Sequence, residues 1–576
     1  MPRRGRGRTG AEPAGEVGAV RKEWGGKIRV ALVYPNRYAA GMSNLGFLLV
    51  HAGVNARPDA LCERVFLSGP GRRRAVHPPR GRGGDSHEVF VEGTALESGR
   101  PLSDFDVVAF SLSYENDLLN VPGILAAGGV PPLREERAAS GSRYPLVVAG
   151  GFAASLNPEP SGAFADAVVV GDGERALDAL LDLGEFRPSD PGSLRDLSGI
   201  PGVYVPAGYR PEYGGRRGDS QAPARVAAIR VLTGFPERVV REILDLRALP
   251  PPPPVVLAEN TELGSMSLVE TSRGCPRMCG FCAAAHACPE FREFPLERVR
   301  ASVSAAWSHR KKVGLIGAAV LDWRPFRTLA REILSRGGSV SPASVRADLV
   351  DPEVAEILSR SGHRTVALAP ECGTESERGR VGKRVPDGTF FSAAGILVRA
   401  GIVSFKLYFL LGVPGASREE EVGGISLFLK KFRDHVLAEA RIVGRMGAIT
   451  AVLSPFVPKP FTPLQWAPMV REEELAARGE AVSAAIRGVR NVRVSGERPG
   501  DAIAQGYLGL SDRRAAADIC GARRGRIPRD RPGFREALEA VVYREKEAGE
   551  LFPWDVVEGG PAKGALRARY EAITRR

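Results

Sequence analysis

Three of the chain's seven cysteines, Cys275, Cys279 and Cys282, fall within eight positions. Thiolates this close together can serve one metal centre. Their flanks, Arg273-Gly274 and Pro276, belong to a loop rather than to a helix or a strand. Zinc takes four ligands, usually as two separated Cys pairs. His286 or Cys288 could supply the fourth, yet only one Cys-x2-Cys pair exists and no second follows downstream. Inert cysteines packed as small hydrophobes are the other alternative. Three of them without helical or strand periodicity fit that poorly.

The stretch Thr271-Ser272-Arg273-Gly274-Cys275-Pro276-Arg277-Met278-Cys279-Gly280-Phe281-Cys282 resembles the cluster loop of radical S-adenosylmethionine (SAM) enzymes, through its Cys-x3-Cys-x-aromatic-Cys spacing. The resemblance implies that Cys275, Cys279 and Cys282 hold a 4Fe-4S cluster, shielded by Phe281, whose fourth iron is left for the amino and carboxylate groups of SAM. One electron then cleaves the sulfonium to methionine and a 5'-deoxyadenosyl radical. A reductant such as flavodoxin or ferredoxin is the implied partner.

Such a loop must be delivered at the C-terminal end of a barrel strand, where barrel active sites lie. Ser265–Glu270 is that strand. By resemblance Val313–Val320 is the second, its Gly317 and Ala318 reaching the amino group of SAM through backbone carbonyls where the family more often has Gly-Gly-Glu. Ser344-Val345-Arg346 resembles the third. Thr365–Glu375 resembles the fourth, with Glu371 at its end for the ribose hydroxyls or the methionine amine; a plain ion pair is the alternative. Val403–Gly415 resembles the fifth, with Gly412 in the turn near the adenine, and Lys406 points either into the barrel or outward. Ile449–Trp466 closes the barrel. There Lys459, Thr462 and Gln465 are either substrate contacts or scaffold. No acid/base pair stands out, so catalytic residues are unassigned.

Ahead of the barrel, β-rich runs at 27–34, 63–67, 106–113, 144–151 and 166–174 alternate with helical stretches, which implies a parallel sheet covered on both faces. Ser111, Ser113, Gly150 and Gly151 stand at strand carboxyl ends, where ligands of such sheets bind. Ser111-Leu112-Ser113, Gly150-Gly151 with Asn157-Pro158-Glu159-Pro160, and Gly171-Asp172-Gly173-Glu174 resemble the cobalamin-binding domain that precedes the barrel in one large class of radical SAM proteins. Cobalamin is therefore a candidate cofactor at Ser111, Ser113, Gly150 and Gly151. One departure stands against it: no Asp-x-His-x-x-Gly segment is present.

The expected fold is α/β: an N-terminal doubly wound parallel sheet, a partial (β/α)6 TIM-type barrel, and a small α-rich C-terminal extension. Residues 1–26 read as a disordered basic tail, 27–188 as the cobalamin-binding-like domain, 189–262 as a Pro/Gly-rich connector, 263–470 as the barrel and 471–576 as the extension. A length of 576 residues allows three to four domains. The net charge of +13 is concentrated in Arg-rich loops at 3–8, 72–82 and 523–535, which could attract RNA, although a solvated loop is the commoner meaning of such runs. No apolar segment suits a signal peptide or a membrane span. An odd cysteine count argues against a disulfide framework, and a reducing cytoplasm is the consistent compartment. The substrate is unknown. Three functions remain: a cobalamin-assisted radical methylase, a radical SAM enzyme acting on RNA without cobalamin, and a non-enzymatic iron-sulfur or zinc protein.

Overall fold

Strands β1 (Ile28–Arg37), β2 (Ala60–Leu67), β3 (Val107–Ser111), β4 (Leu146–Gly150) and β5 (Ala167–Val169) run parallel, in the order β2-β1-β3-β4-β5. Strand β6 (Val203–Tyr204) adds an antiparallel edge. Val30 to Tyr34 are all buried because helices cover both faces, as the unbroken apolar runs require. The chain leaves β1 toward β2 and returns toward β3. The strand order thus reverses between β1 and β3.

The computed structural model describes residues 15–67, 93–140, 144–184, 190–214, 225–288, 290–523 and 525–575. Residues 15–26, expected to belong to the disordered tail, are packed instead. Val17 bridges Leu257, the Glu16 carboxylate accepts from buried Arg64 at 2.7 Å, and Trp24 lies edge-on to Phe105. The basic loops at 3–8 and 72–82 lie outside the described residues.

Two further parallel sheets follow. The first holds β7 (Ser267–Glu270), β8 (Lys312–Ile316) and β9 (Ser339–Pro342); the second holds β10 (Thr365–Glu371), β11 (Ser404–Leu411), β12 (Ile449–Pro455) and β13 (Val492–Gly496). Between β9 and β10 the ladder is interrupted. There the Val340 amide donates to Ser361 Oγ at 3.0 Å and the His363 ring meets the Val340 carbonyl at 3.0 Å, so side chains satisfy the free edge. The third strand is Ser339–Pro342 rather than Ser344–Arg346, because β8 pairs with 339–342 and leaves 344–346 beyond the strand's C-terminal end. Strand β13 joins the same sheet, which therefore runs past residue 470.

On β11, Phe405 and Phe409 pack edge-on against Phe432 and Phe428 of the helix Arg418–Val443. Alternation then turns Lys406 and Tyr408 to the opposite, inward face, where both are exposed. No described helix is long and apolar enough to cross a membrane.

Candidate functional site

Strand β7 ends at Glu270 and hands the chain to the three-cysteine loop. Gly274 has φ +79°, and a Cβ there would lie 2.4 Å from the Glu290 carbonyl oxygen, so only glycine lets the two segments close together. Met278 also takes a positive φ, of 52°. The Cys282 amide donates to the Cys279 carbonyl at 3.1 Å, and the Gly280 amide donates to the Val381 carbonyl at 2.7 Å.

All seven cysteines are free. Burial pushes the Cys279 thiol up to about 11, with Lys383 opposing, and burial raises Cys282 as well. Among the described residues no three His, Cys, Asp or Glu groups converge as for a single ion. The alternative zinc ligands are also occupied elsewhere. Fully buried His286 sets Nε2 against the Cys279 carbonyl at 3.1 Å, while Cys288 faces Arg241 and Asp172. What the structure retains of the expected ligand set is its local placement, three free thiols on one tight loop.

Around the thiols stand Glu371, Lys383 and Arg346, all close enough to act on the charge of Cys279. Glu371 ends β10 in a left-handed conformation, φ 68°, and Lys383 Nζ donates to it at 2.9 Å. The ion pair weighed as an alternative therefore exists, and it sits beside the cysteines. Arg346 is held by Asp348 at 2.9 and 3.0 Å. Sequence reasoning missed Lys383 altogether and read Arg346 only as part of a strand.

Gly317 and Ala318 follow β8, next to Ile316, whose carbonyl accepts from the Thr271 amide at 2.9 Å; the Ala318 carbonyl accepts from Ser344 Oγ at 3.4 Å. The Gly412 amide is taken up by buried Glu421, at 2.7 Å, so any contact it makes to a ligand runs through other atoms. Phe281 is partly buried against the main hydrophobic core.

The N-terminal sheet presents its strand carboxyl ends to this assembly. Arg273, two residues before Cys275, forms ion pairs with Asp172 at 2.9 Å, Glu174 at 2.6 Å and Glu270 at 2.8 Å. Arg292 adds a second bond to Asp172, at 2.6 Å. Burial raises the Asp172 carboxyl, but Arg273 and Arg292 outweigh it and hold the group below its ordinary value. Gly171-Asp172-Gly173-Glu174 thus clasps the cysteine loop, and the Glu242 carbonyl, accepting from the Asp172 amide at 2.9 Å, closes over the β5 end. Asn157 and Glu159 are committed as well, to the Gly509 and Ser511 carbonyls and to Arg513.

The β3 and β4 ends are more open. Ser113 Oγ accepts from Asn44 at 3.0 Å. Gly151 is required by the chain itself, since a Cβ would lie 2.6 Å from the Leu112 carbonyl oxygen. Beside Ser111, Ser113 and Gly150, Tyr114 and Phe152 leave 39% and 42% of their surface exposed. An uncovered aromatic pair at strand ends fits a large ligand with apolar faces. The β5 end does not, because the chain already covers it.

Lys459, Thr462 and Gln465 all have partners within the chain. Lys459 pairs with Glu115 at 2.5 Å, Thr462 Oγ1 donates to the Lys459 carbonyl at 2.8 Å, and buried Gln465 Oε1 accepts from the Phe461 amide and from Trp554. In the basic run at 523–535, Arg526, Arg529 and Arg531 pair with Asp501, Glu472 and Asp518.

Residues 46–206 match the family model described as "Radical SAM proteins, N-terminal", and residues 269–422 match the "Radical SAM superfamily" model. The chain is 24% identical over 453 residues to uncharacterized protein MJ0966 of Methanocaldococcus jannaschii, covering 78% of this chain and 81% of that protein. Among solved structures, it is similar to the radical SAM methyltransferase TsrM of Kitasatospora setae, with cobalamin and a 4Fe-4S cluster bound: 15% identity, 77% of this chain, 80% of that one, TM-score 0.44. It is also similar to the cobalamin-dependent radical enzyme OxsB with aqua-cobalamin bound: 14% identity, 70% of this chain, 52% of that one, TM-score 0.45. The chain spans about half of OxsB. One matched segment carries the three-cysteine loop and the other carries most of the sheet clasped to it, and the chain belongs to the radical SAM superfamily, whose cofactors are a 4Fe-4S cluster and SAM.

Proposed function

We propose that the chain transfers a methyl group, or starts an allied radical reaction, on a substrate seated over the inward face of the barrel strands. The observation that carries this reading is the placement of Cys275, Cys279 and Cys282 between two features: the charged group Glu371, Lys383 and Arg346, and the strand ends clasped through Arg273. The three cysteines are the proposed cluster ligands, with Phe281 as a partial cover. When bound, the cluster supplies the electron that cleaves SAM to methionine and a 5'-deoxyadenosyl radical.

The chain's own residues orient that reaction. Lys383 and Arg346 are placed to pair with the methionine carboxylate, and Glu371 to accept from the amine or the ribose hydroxyls. The backbone of Gly317 and Ala318 lines the same end of the barrel, and Gly412 bounds the turn beyond β11. Lys406 and Tyr408, inward and exposed, face the space left for substrate. Cobalamin is the proposed second cofactor, at the β3 and β4 ends by Ser111, Ser113, Gly150 and Gly151, with Tyr114 and Phe152 as its apolar contacts. A flavodoxin or ferredoxin as electron donor and a reducing cytoplasmic setting complete the reading; seven free thiols agree with the latter.

The test is anaerobic reconstitution with iron and sulfide, then reduction with SAM, with 5'-deoxyadenosine as readout. About four irons per chain and nucleoside formation, both lost in Cys279→Ala, are expected. One tightly held zinc with no iron would overturn the reading. Retention of hydroxocobalamin through gel filtration, seen as a corrin absorption band and lost in Gly150→Trp, tests the second cofactor.

A further inference from the structure

A cavity of about 220 Å³ lies between the C-terminal extension and the strand that begins at Arg225, and Lys546 lines it. Lys546 is only 5% exposed. Its Nζ has one long hydrogen bond, to the Ala467 carbonyl at 3.4 Å. Among the described residues no carboxylate lies within ion-pair distance of it, although lysine is almost never buried unpaired. The acids of the cavity wall are already matched: Asp512 by Arg514, Asp518 by Arg531 and Tyr507, and Glu550 by Arg544. Arg225, also on the wall, pairs with Glu547 at 2.6 Å. The wall therefore carries one cation in excess, at Lys546.

A second group in the same wall is unsatisfied. Ser511 Oγ is buried without a hydrogen-bond partner, in a residue 5% exposed. A buried hydroxyl without a partner and a buried amine with one long hydrogen bond each cost free energy that a bound acceptor would recover. Leu510, Val541 and Trp554 also line the cavity and supply apolar surface.

We propose that this cavity binds a small monocarboxylate, whose carboxylate pairs with Lys546 Nζ and accepts from Ser511 Oγ while its short apolar body lies against Leu510, Val541 and Trp554. One excess positive charge selects a monoanion, and the apolar wall selects a carboxylate over an inorganic ion. Burial, with Arg544 adding to it and Glu550 opposing, lowers the Lys546 amine to about 7. Binding therefore takes up a proton and weakens as pH rises above neutrality.

The experiment is equilibrium dialysis of the full-length reconstituted protein with radiolabelled butyrate at pH 6.5 and 8.5. Saturable binding is expected, with affinity falling more than about tenfold across that interval. Lys546→Met should abolish it, and Ser511→Ala should weaken it about fivefold, as one lost hydrogen bond implies. If Lys546→Met does not fold, Ser511→Ala and the wild-type pH profile carry the test. Butyrate binding that is indifferent to pH and to both substitutions overturns the site. Equal competition by chloride at the same concentration overturns the carboxylate assignment.

Discussion

Arg569, on the helix Lys563–Thr574, donates to the carbonyl of Met278 at 2.8 Å, across 291 residues of sequence. The last described helix therefore holds the middle of the three-cysteine loop. Arg569→Ala leaves that carbonyl unpaired, at a cost of about 1–3 kcal/mol. Iron retained per chain after gel filtration should fall, with little change in far-UV circular dichroism.

Removing Asp172 should be more severe. Arg273 and Arg292 would be left without their shared carboxylate in a largely buried clasp, and breaking a buried pair costs about 3–5 kcal/mol. Asp172→Ala should lower the urea midpoint accordingly. In the wild type the folded carboxyl sits below its ordinary value, so the clasp stabilises above the unfolded carboxyl range and is lost as pH falls through the folded value. The substituted protein should lack that acid-side loss.

Glu371→Gln keeps the shape and removes the charge paired with Lys383. The 5'-deoxyadenosine yield at limiting SAM should drop at least about tenfold, equivalent to ~1.4 kcal/mol. Iron content should be unchanged, which separates a SAM-seating role from a role in cluster assembly.

Asp117 gives a pH signature of the opposite sign. Burial, moderated by the hydrogen bond from Asn36 and reinforced by Glu115, raises its carboxyl to about 7. Its stabilising contribution is whole below the unfolded carboxyl value and declines through the interval up to about 7, at ~1.4 kcal/mol per pH unit. Asp117→Asn should flatten the fall in urea midpoint between pH 4 and 7 and stabilise the protein at neutrality.

The parts legible in the sequence were those written locally. Cys275, Cys279 and Cys282 sit within one turn-rich segment, and the apolar runs of β1 to β5 mark a sheet buried on both faces. Strand β9 was misplaced because only Val340 of its four residues is buried; pairing with β8 selects it, and no apolar run announces it. Lys383, Arg569 and the Asp172 clasp were invisible for a related reason. Each is fixed by which distant segments meet, and an arginine bound for a carboxylate 100 residues away looks like any other arginine. Phe552-Pro553-Trp554-Asp555 shows the same limit: Trp554 stacks on Phe552 and donates to Gln465 at 3.1 Å, a role that only the folded chain reveals.

The grip of Arg569 on Met278 also bears on the order of biosynthesis. At ~5–20 residues per second, the ribosome makes the intervening 291 residues in roughly 15 to 60 s. Throughout that interval the nascent chain carries its cysteine loop without the Arg569 clamp. Slow synthesis of residues 279–569 prolongs that interval and should lower iron occupancy without any change in sequence.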